Sequence, residues 1–291
     1  MTQLLQVLLS GTTLGCIYAV VALGFTLTIV AANIVNFAYG EWVTYGAFFA
    51  ATFATTLHYP LLLALLLTVL CTAAIGFVFQ WLVFAPLEGK HFLSVVLATV
   101  GVGMAMQSAA TLIWGPYPRA VRPFFGSNSF NVGGVAVLPQ NLIIIGLTFS
   151  FIMALQVMLT RSPLGLRVQA TAQDPEASRL MGIRLRRMRT MTACVSAALA
   201  GLAAFLVAPV QVVTVTLGFS LMLKGFAATI LGGWGSLKGA IVGGLTVGIV
   251  ESLTATYVST YYKDAISFAI IIAVLLVRPR GIFGEKIAVK L

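Results

Sequence analysis

Residues 161–189 read RSPLGLRVQATAQDPEASRLMGIRLRRMR, and this stretch determines how the rest of the chain is arranged. It holds seven of the 17 Lys and Arg residues, whereas the first basic residue anywhere in the chain is Lys90. Apolar segments lie on both sides of it. Membrane proteins keep such basic clusters on the cytoplasmic side. The stretch therefore predicts a cytoplasmic loop, and it sets the orientation of every neighbouring span.

The composition is that of a membrane protein. Hydrophobic residues make up 60% of the 291 residues and charged residues make up 8%, against roughly 25% charged residues in a soluble globular protein. The net charge of +10 lies in loops beside apolar segments, where it serves topology, and this location argues against nucleic-acid binding. Cys16, Cys71 and Cys194 stand singly in apolar stretches, so we expect buried free thiols and neither a disulfide nor a metal site.

Apolar segments long enough to cross a bilayer follow one another along the whole chain. A span needs about 20 apolar residues, and the short segment 215–231 is compatible with a half-helix. We predict an all-α polytopic membrane protein of eight or nine helices with broken or re-entrant Gly-rich segments, formed as a single domain over residues 1–291. The predicted spans are at about 7–30, 37–57, 61–84, 92–113, 140–160, 190–210, 215–231, 239–258 and 262–278.

The orientation follows from counting spans away from the loop 161–189. With that loop inside, the loop 114–139 and the N-terminus fall outside, and the C-terminus falls inside. Thirteen Lys and Arg residues then lie inside, Arg119, Arg122 and Lys263 lie outside, and Lys224 lies within a span. The external loop contains Pro, Gly and alternating Val residues, which favour turns and a short hairpin. Both a contact surface for an external partner and a plain connection are compatible with it.

A short helix with clear end signals is predicted inside the cytoplasmic loop. Asp174 suits the N-cap, Pro175 suits the first helical position, Glu176 favours the positive helix end, and Gly182 can close the helix. Its apolar residues are too many to be buried within so small an element. Two interpretations are open: the helix docks into a groove of another protein, or it lies on the lipid interface. The residues assigned to it are Asp174, Pro175, Glu176, Ala177, Ser178, Leu180, Met181 and Gly182.

Two charged residues are predicted to pair inside the membrane. A charge there costs roughly 2.5–3.5 kcal/mol on insertion scales, and Lys224 and Glu251 fall near the middles of the spans 215–231 and 239–258. These spans run in opposite directions, so the two residues can meet at similar depth and neutralise each other. Snorkelling of Lys224 to an interface is the alternative. We expect Glu41 at the inner end of a span, where it lines the mouth of a path or caps a helix.

Gly-bearing polar breaks interrupt the apolar pattern in both halves of the chain. Residues 36–41 read NFAYGE and residues 232–236 read GGWGS, and the similar pentapeptides LGFTL at 23–27 and LGFSL at 217–221 precede them. Paired breaks of this kind indicate a transporter built from repeats, and they fit either close helix packing or a gating hinge. The residues assigned to a translocation path or gate are Asn33, Asn36, Tyr39, Gly40, Glu41, Gly232, Gly233, Gly235 and Ser236.

These motifs resemble those of ABC importer permeases. Glu176-Ala177-Ser178 followed by Gly182 resembles the EAA-type loop of that class. The surrounding sequence resembles the branched-chain amino acid permeases of the Liv-H type. Matches of this kind extend over nearly the whole chain in the right order.

Three further stretches carry the resemblance to the Liv-H type. Residues 36–41 are similar to the family's N-F-A-H-G-E segment, with Tyr39 in place of the usual His. Residues 232–244 are similar to G-G-x-G-S-x-x-G-A-x-x-G-G, and residues 278–284 are similar to R-P-x-G-L-F-G. Ala85 stands where the family often has Arg. The two departures leave the family assignment intact and weaken any assignment of the exact substrate.

The resemblance implies a fold, partners and a role. It implies a type II-like importer permease in the bacterial inner membrane that pairs with a second, related permease, binds two cytoplasmic ATPase subunits and receives substrate from an external binding protein. ATP and Mg²⁺ would be bound by the ATPases, so this chain would carry no cofactor and would not be an enzyme. The absence of a G-x-x-x-x-G-K-[ST] phosphate loop from the sequence agrees with this dependence.

The function expected is the import of branched-chain or similar hydrophobic amino acids, driven by ATP hydrolysis in partner subunits. A self-contained secondary transporter is one alternative, and it would require membrane acids or His residues for ion coupling. An anchoring membrane protein without transport is a second alternative, and it would not require paired Gly-rich breaks. A permease for urea, short amides or another small solute is a third, which the residues alone do not separate from the amino-acid permease.

Overall fold

The computed structural model describes residues 2–32, 35–124, 126, 129–132, 134–278 and 281–283. Asn33, which the sequence analysis assigned to the path, lies outside the described residues. In the described part of the chain the helices are α1 Thr2–Ala32, α2 Tyr39–Ala51, α3 Leu61–Phe79, α4 Phe92–Trp114, α5 Pro139–Arg161, α6 Pro163–Gln173, α7 Pro175–Leu180, α8 Leu185–Val207, α9 Leu217–Gly232, α10 Leu237–Tyr257 and α11 Lys263–Val277. Single turns of π-helix, Thr52–Thr56 and Gln80–Phe84, extend α2 and α3.

The all-α polytopic fold predicted from the sequence is confirmed, with a difference in the lengths of its spans. Within the described residues six helices are long and apolar enough to cross a membrane: α1, α3 with its π-turn, α4, α5, α8 and α10. The helices at the other three predicted spans, α2, α9 and α11, have 13, 16 and 15 residues. The π-turn extends α2 to Thr56, close to the predicted end at residue 57, and α2 and α9 begin against each other in the protein interior.

A seam of glycines joins α1 to α10 at the centre of the fold. A Cβ atom on Gly15 would lie 2.8 Å from the Cα atom of Leu245, and one on Gly11 would lie 2.9 Å from the Cα atom of Ile249. The two helices therefore touch through their backbones, as small residues permit in membrane proteins. Ser252 adds a hydrogen bond across the seam, since its hydroxyl donates to the Val7 carbonyl at 3.0 Å.

Glycine contacts also place α2, α3 and α8. Gly76 of α3 lies against Ala193 and Ala197 of α8, and Gly46 of α2 lies against Gly201 of α8. Helix α8 is consequently buried over most of its second half, and its neighbour α3 carries a largely exposed face. This arrangement puts α8 between the loop 161–189, where it begins, and the interior that contains α2.

The two similar pentapeptides do not occupy corresponding positions. Residues 23–27 lie inside the unbroken helix α1, whereas Leu217 begins α9. The partner of the 36–41 break is instead the start of α9, because a Cβ atom on Gly40 would meet the Gly218 carbonyl oxygen at 2.8 Å. The internal repeat indicated by the paired breaks stays a prediction.

The loop 161–189 contains more helix than the sequence predicted. Helix α6 was not anticipated, and α8 begins at Leu185 and not near residue 190. The signal for α6 is local: the Ser162 hydroxyl accepts from the backbone N–H of Gly165 at 3.0 Å, and Pro163 occupies the first helical position. Its mixed composition conceals it in a search for apolar spans.

The loop 114–139 forms the short hairpin that its alternating Val residues favoured. Strands β1 (Phe130–Val132) and β2 (Val135–Val137) pair antiparallel, with Phe130 opposite Val137. The amide of Gln6 in α1 donates to the Ala136 carbonyl at 2.9 Å. The hairpin and the start of α1 thus lie at the same end of the bundle.

Candidate functional site

Helix α7 presents apolar side chains that no described residue covers. The Asp174 carboxylate caps it by accepting from the backbone N–H groups of Glu176 at 3.0 Å and Ala177 at 2.9 Å. Gly182 follows the helix with a φ of +80°, a backbone conformation that favours glycine. Leu180 is 89% exposed and Met181 is 82% exposed. An apolar pair displayed on a well-capped helix is suited to insertion into a groove of another protein.

The opposite side of α7 faces the rest of the chain. Ser178 is buried, and its carbonyl accepts from the N–H of Ile183 at 3.0 Å, where the chain turns towards α8. At the start of α8 the Arg189 guanidinium forms a salt bridge with Glu88, which lies in the connection between α3 and α4. Helix α7 is thus held to the chain that leads into α8, and the start of α8 is joined to the α3–α4 connection.

Lys224 and Glu251, which the sequence placed at similar depth, lie in direct contact. Lys224 Nζ is 2.7 Å from Glu251 Oε1, and both side chains are buried. The Tyr18 hydroxyl donates to Glu251 Oε2 at 2.8 Å and accepts from Lys224 Nζ at 3.3 Å. Each charge is consequently paired and hydrogen-bonded, the condition under which buried charges are tolerated.

The pair belongs to a larger group of charges that the sequence analysis missed. Asp264 Oδ1 is 3.0 Å from Lys224 Nζ, and Lys263 Nζ is 3.3 Å from Glu251 Oε1. Asp264 and Lys263 stand in the first turn of α11, and the Asp264 side chain is 54% exposed. The four charges therefore extend from the interior to the surface. The Lys-Asp dipeptide at the start of the last span was the signal that could have revealed them.

Glu41 is buried, which corrects the expectation that it lies at a water-exposed helix end. It is 5% exposed, in the first turn of α2. The reason is that α2 begins inside the protein: Gly40 packs on Gly218 of α9, and the Glu41 side chain lies beside Gly103 of α4. These neighbours are distant in sequence, so the span pattern did not reveal them.

The start of α2 concentrates polar atoms without hydrogen-bond partners. The Asn36 side-chain oxygen Oδ1 accepts from the Ala38 backbone N–H at 3.0 Å, which shapes the turn. Among the described residues, however, Asn36 Nδ2, Tyr39 Oη, Glu41 Oε2 and Trp42 Nε1 are buried and make no hydrogen bond. Buried unpartnered polar groups are rare and costly. Four of them within two turns mark this break as the candidate path-lining site.

The second set of predicted path residues forms a tight connection between α9 and α10. Gly233 and Gly235 have φ values of +117° and +77°, and the Ser236 hydroxyl caps α10 by accepting from the Gly239 N–H at 3.1 Å. Gly232 packs on the backbone of Gly239. Close packing is thus sufficient to explain these glycines, and their role in a gate stays a prediction.

The closing segment of the described chain completes this connection. The N–H groups of Ile282 and Phe283 donate to the carbonyls of Leu231 at 2.9 Å and Gly232 at 2.8 Å. They satisfy the carbonyls at the end of α9 that have no partner within the helix. Within the described part of the chain no group of three or more His, Cys, Asp and Glu residues is arranged to hold a metal ion.

Comparison with known proteins gives the family. Residues 7–275 match the family profile described as branched-chain amino acid transport system / permease component. The chain is 32% identical to the high-affinity branched-chain amino acid transport system permease protein BraD of Pseudomonas aeruginosa, over 97% of this chain and 96% of that protein. It is likewise 32% identical to the corresponding protein LivH of Escherichia coli, with the same coverage.

More distant similarities extend the comparison. The probable branched-chain amino acid transport permease protein LivH of Methanocaldococcus jannaschii is 27% identical over 90% of this chain and 87% of that protein. A solved structure, PsaBC from Streptococcus pneumoniae in complex with Fab, aligns with a TM-score of 0.49 and 14% identity over 94% of this chain and 89% of that chain, too low a similarity to carry an argument. The family profile and the relatives above 30% identity agree: the chain is a multi-pass membrane protein that belongs to the family of permease components of branched-chain amino acid transport systems.

Proposed function

We propose that this chain is the membrane-spanning subunit of an ABC importer that moves branched-chain or similar hydrophobic amino acids into the cytoplasm. Its relatives are named as high-affinity branched-chain amino acid transport permeases, which supports this substrate class. ATP and Mg²⁺ bind to two partner ATPases, and this chain itself catalyses no reaction. An external binding protein delivers the substrate, and a second, related permease completes the path as a heterodimer.

The observation that carries the proposal is the uncovered apolar end of α7. Leu180 and Met181 are almost fully exposed, while the helix is capped at both ends by Asp174 and Gly182. Exposed apolar side chains on an ordered element mark interaction sites. Helix α7 accordingly enters a groove of a partner ATPase and moves with it.

The motion reaches the path through α8. Helix α8 begins directly after α7, and the Ser196 hydroxyl in its middle donates to the Gly24 carbonyl of α1 at 2.6 Å. Its second half packs against α2 through the contact between Gly201 and Gly46. A shift of α8 therefore changes the position of α2 relative to α4 and α9, and α2 carries the unpartnered polar atoms that line the path.

The orientation follows from the distribution of charge. The loop 161–189, with its seven basic residues, faces the cytoplasm together with the α3–α4 and α9–α10 connections. The start of α1, the hairpin and the start of α11 face outward. An impermeant thiol reagent applied to intact cells should label a cysteine at Tyr261, which is 97% exposed, and spare one at Arg179. The reverse labelling would invert the scheme.

The function is tested by reconstituting the chain with its partner subunits in vesicles and measuring ATP-dependent leucine uptake together with ATP hydrolysis. The double variant Leu180→Asp/Met181→Asp should insert normally and lose uptake, because the docking surface has become charged. Leu166→Asp is the matched control, since Leu166 is 53% exposed on the neighbouring helix α6. Full uptake by the double variant, or gradient-driven uptake without ATPases, would contradict the proposal.

A further inference from the structure

An open groove of about 410 Å³ lies between the end of α3 and the start of α8. Its lining combines three arginines with aromatic and apolar side chains. The lining residues are Phe77, Gln80, Trp81, Arg184, Arg186, Arg187, Thr190 and Met191. The lining contains none of the unpartnered polar residues of α2, and the exposed apolar residues Leu180 and Met181 at the end of α7 do not line it.

The two ends of the groove differ in chemistry along the direction of the helices. Helices α3 and α8 run antiparallel, since Gly76 packs on Ala193 while Thr72, one turn earlier in α3, packs on Gly201, two turns later in α8. Phe77 and Met191 therefore form the end that lies deeper in the membrane, and the arginines form the end beside the loop 161–189. An amphiphile with an acyl chain and a negatively charged headgroup matches this order.

The positive charge of the groove is not neutralised within the described residues. Arg189, the next arginine along α8, forms a salt bridge with Glu88, whereas Arg184, Arg186 and Arg187 are exposed and form none in the described part of the chain. Cations in the first turn of a helix are also opposed by its dipole. Within the part of the chain that the structure describes, the three arginines therefore have no neutralising partner and remain available to an anionic ligand.

Trp81 indicates the depth at which the groove lies in the membrane. It is 61% exposed, and the neighbouring Phe77 is 54% exposed, on a helix whose outward face is apolar. Tryptophan is enriched where acyl chains meet headgroups. Basic pockets between membrane helices on the cytoplasmic side are suited to anionic headgroups.

We propose that this groove binds an anionic phospholipid of the inner leaflet, with its phosphate held by Arg184, Arg186 and Arg187 and an acyl chain lying along Trp81, Phe77 and Met191. Helix α8 starts in this groove and links α7 to α2. The bound lipid therefore fixes the end of the helix that moves with the ATPases. The proposal does not depend on which solute is transported.

The test uses the fluorescence of Trp81 in the full chain, reconstituted in phosphatidylcholine vesicles that contain phosphatidylglycerol with brominated acyl chains. Bromine quenches nearby tryptophan, and the signal of Trp81 is obtained by comparison with Trp81→Phe. Brominated phosphatidylglycerol should quench Trp81 at a several-fold lower mole fraction than brominated phosphatidylcholine does. Equal quenching by the two lipids would overturn the proposal.

Arginine variants test whether the preference for the anionic lipid comes from these residues. Each basic residue near an anionic lipid surface changes the binding constant about fivefold, so Arg184→Gln/Arg186→Gln/Arg187→Gln should abolish the preference. The matched control is Arg161→Gln/Arg167→Gln/Arg179→Gln, three arginines of the same loop that do not line the groove. A preference lost equally in both variants would reduce the effect to general surface charge and overturn the site.

Two further measurements keep the test decisive if the triple variant fails to fold. The single variant Arg186→Gln should reduce the preference about fivefold, and about 1 M salt should weaken it in the unmodified chain, since the screening length falls to about 3 Å. Soluble glycerol phosphate should not displace the lipid. Displacement by glycerol phosphate, or a preference insensitive to both changes, would exclude a lipid held by these arginines.

Discussion

Glu251 and Glu41 are both buried carboxylates inside helices, yet their surroundings are opposite. Glu251 contacts Lys224 at 2.7 Å and Lys263 at 3.3 Å, and it accepts a hydrogen bond from Tyr18. Glu41 forms no salt bridge among the described residues, and its Oε2 atom makes no hydrogen bond. A paired buried charge holds helices together, whereas an unpaired one costs stability and indicates a functional role. We therefore interpret the first region as structural, and the second as part of the proposed substrate path.

The largest effect should come from breaking the paired region. Lys224→Met leaves Glu251 with only the partly exposed Lys263 and the Tyr18 hydroxyl. Losing one partner of a buried pair typically costs about 3–5 kcal/mol, which should appear as a lower free energy of unfolding in detergent and a lower folded yield. The double variant Lys224→Met/Glu251→Gln should recover most of the loss. A double variant that loses as much as the sum of the two single variants would show that the charges do not act as a pair.

A change in the unpaired region should alter transport and leave the free energy of unfolding almost unchanged. Glu41→Gln keeps the shape and removes a buried charge, so the free energy of unfolding should stay the same or rise slightly. Leucine uptake per folded molecule should fall at least about tenfold, since a hydrogen bond to a charged group contributes about 1.5–3 kcal/mol.

The matched control for Glu41→Gln is Glu88→Gln, because Glu88 is a partly exposed carboxylate on the chain surface. It should leave uptake within about twofold of the unmodified chain, since exposed ion pairs contribute about 0–1 kcal/mol. A Glu41→Gln variant that unfolds as readily as Lys224→Met while retaining uptake would place Glu41 in the structural class.

Two tyrosines show the same contrast between a paired and an unpaired polar group, with smaller expected effects. Tyr18→Phe removes a hydroxyl that bridges Glu251 and Lys224, and it should cost about 1–3 kcal/mol because a charged partner is left unsatisfied. Tyr39→Phe removes a buried hydroxyl without a partner, and its effect on the free energy of unfolding should be close to zero. Chemical unfolding of both variants under the same conditions measures the difference. Equal losses of unfolding free energy in the two variants would mean that the Tyr39 hydroxyl has a hydrogen-bond partner in the membrane.

Among the changes to the paired region, the smallest effect should occur at its rim. Asp264 contacts Lys224 at 3.0 Å, but its side chain is 54% exposed. Asp264→Asn should lower the free energy of unfolding by at most about 1 kcal/mol, the usual range for a solvent-exposed ion pair. The loss should shrink further in high salt. A cost comparable to that of Lys224→Met would mean that the whole cluster is shielded from water.

The contrast also explains which features were predictable from sequence. Lys224 and Glu251 could be paired because two neighbouring spans place them at matched depth, and the cap at Asp174 depends only on adjacent residues. The burial of Glu41 was missed because it is set by Gly218 and Gly103, which are brought in by distant helices. Helix α6 was missed because its mixed composition does not stand out in a search for apolar spans. Features set by local spacing could therefore be predicted from the sequence, whereas features set by contacts between distant helices could not.

The glycine seam between α1 and α10 has a consequence for how the protein is made. Gly11 and its contact Ile249 are joined by backbone packing, and ribosomes add about 5–20 residues per second. Helix α1 therefore waits in the bilayer for roughly 10–50 seconds before its partner has been synthesised. During that time its glycine face lacks the backbone contacts that α10 makes with it in the finished fold. The central helix of the bundle, although the first to be translated, is among the last to reach its final contacts.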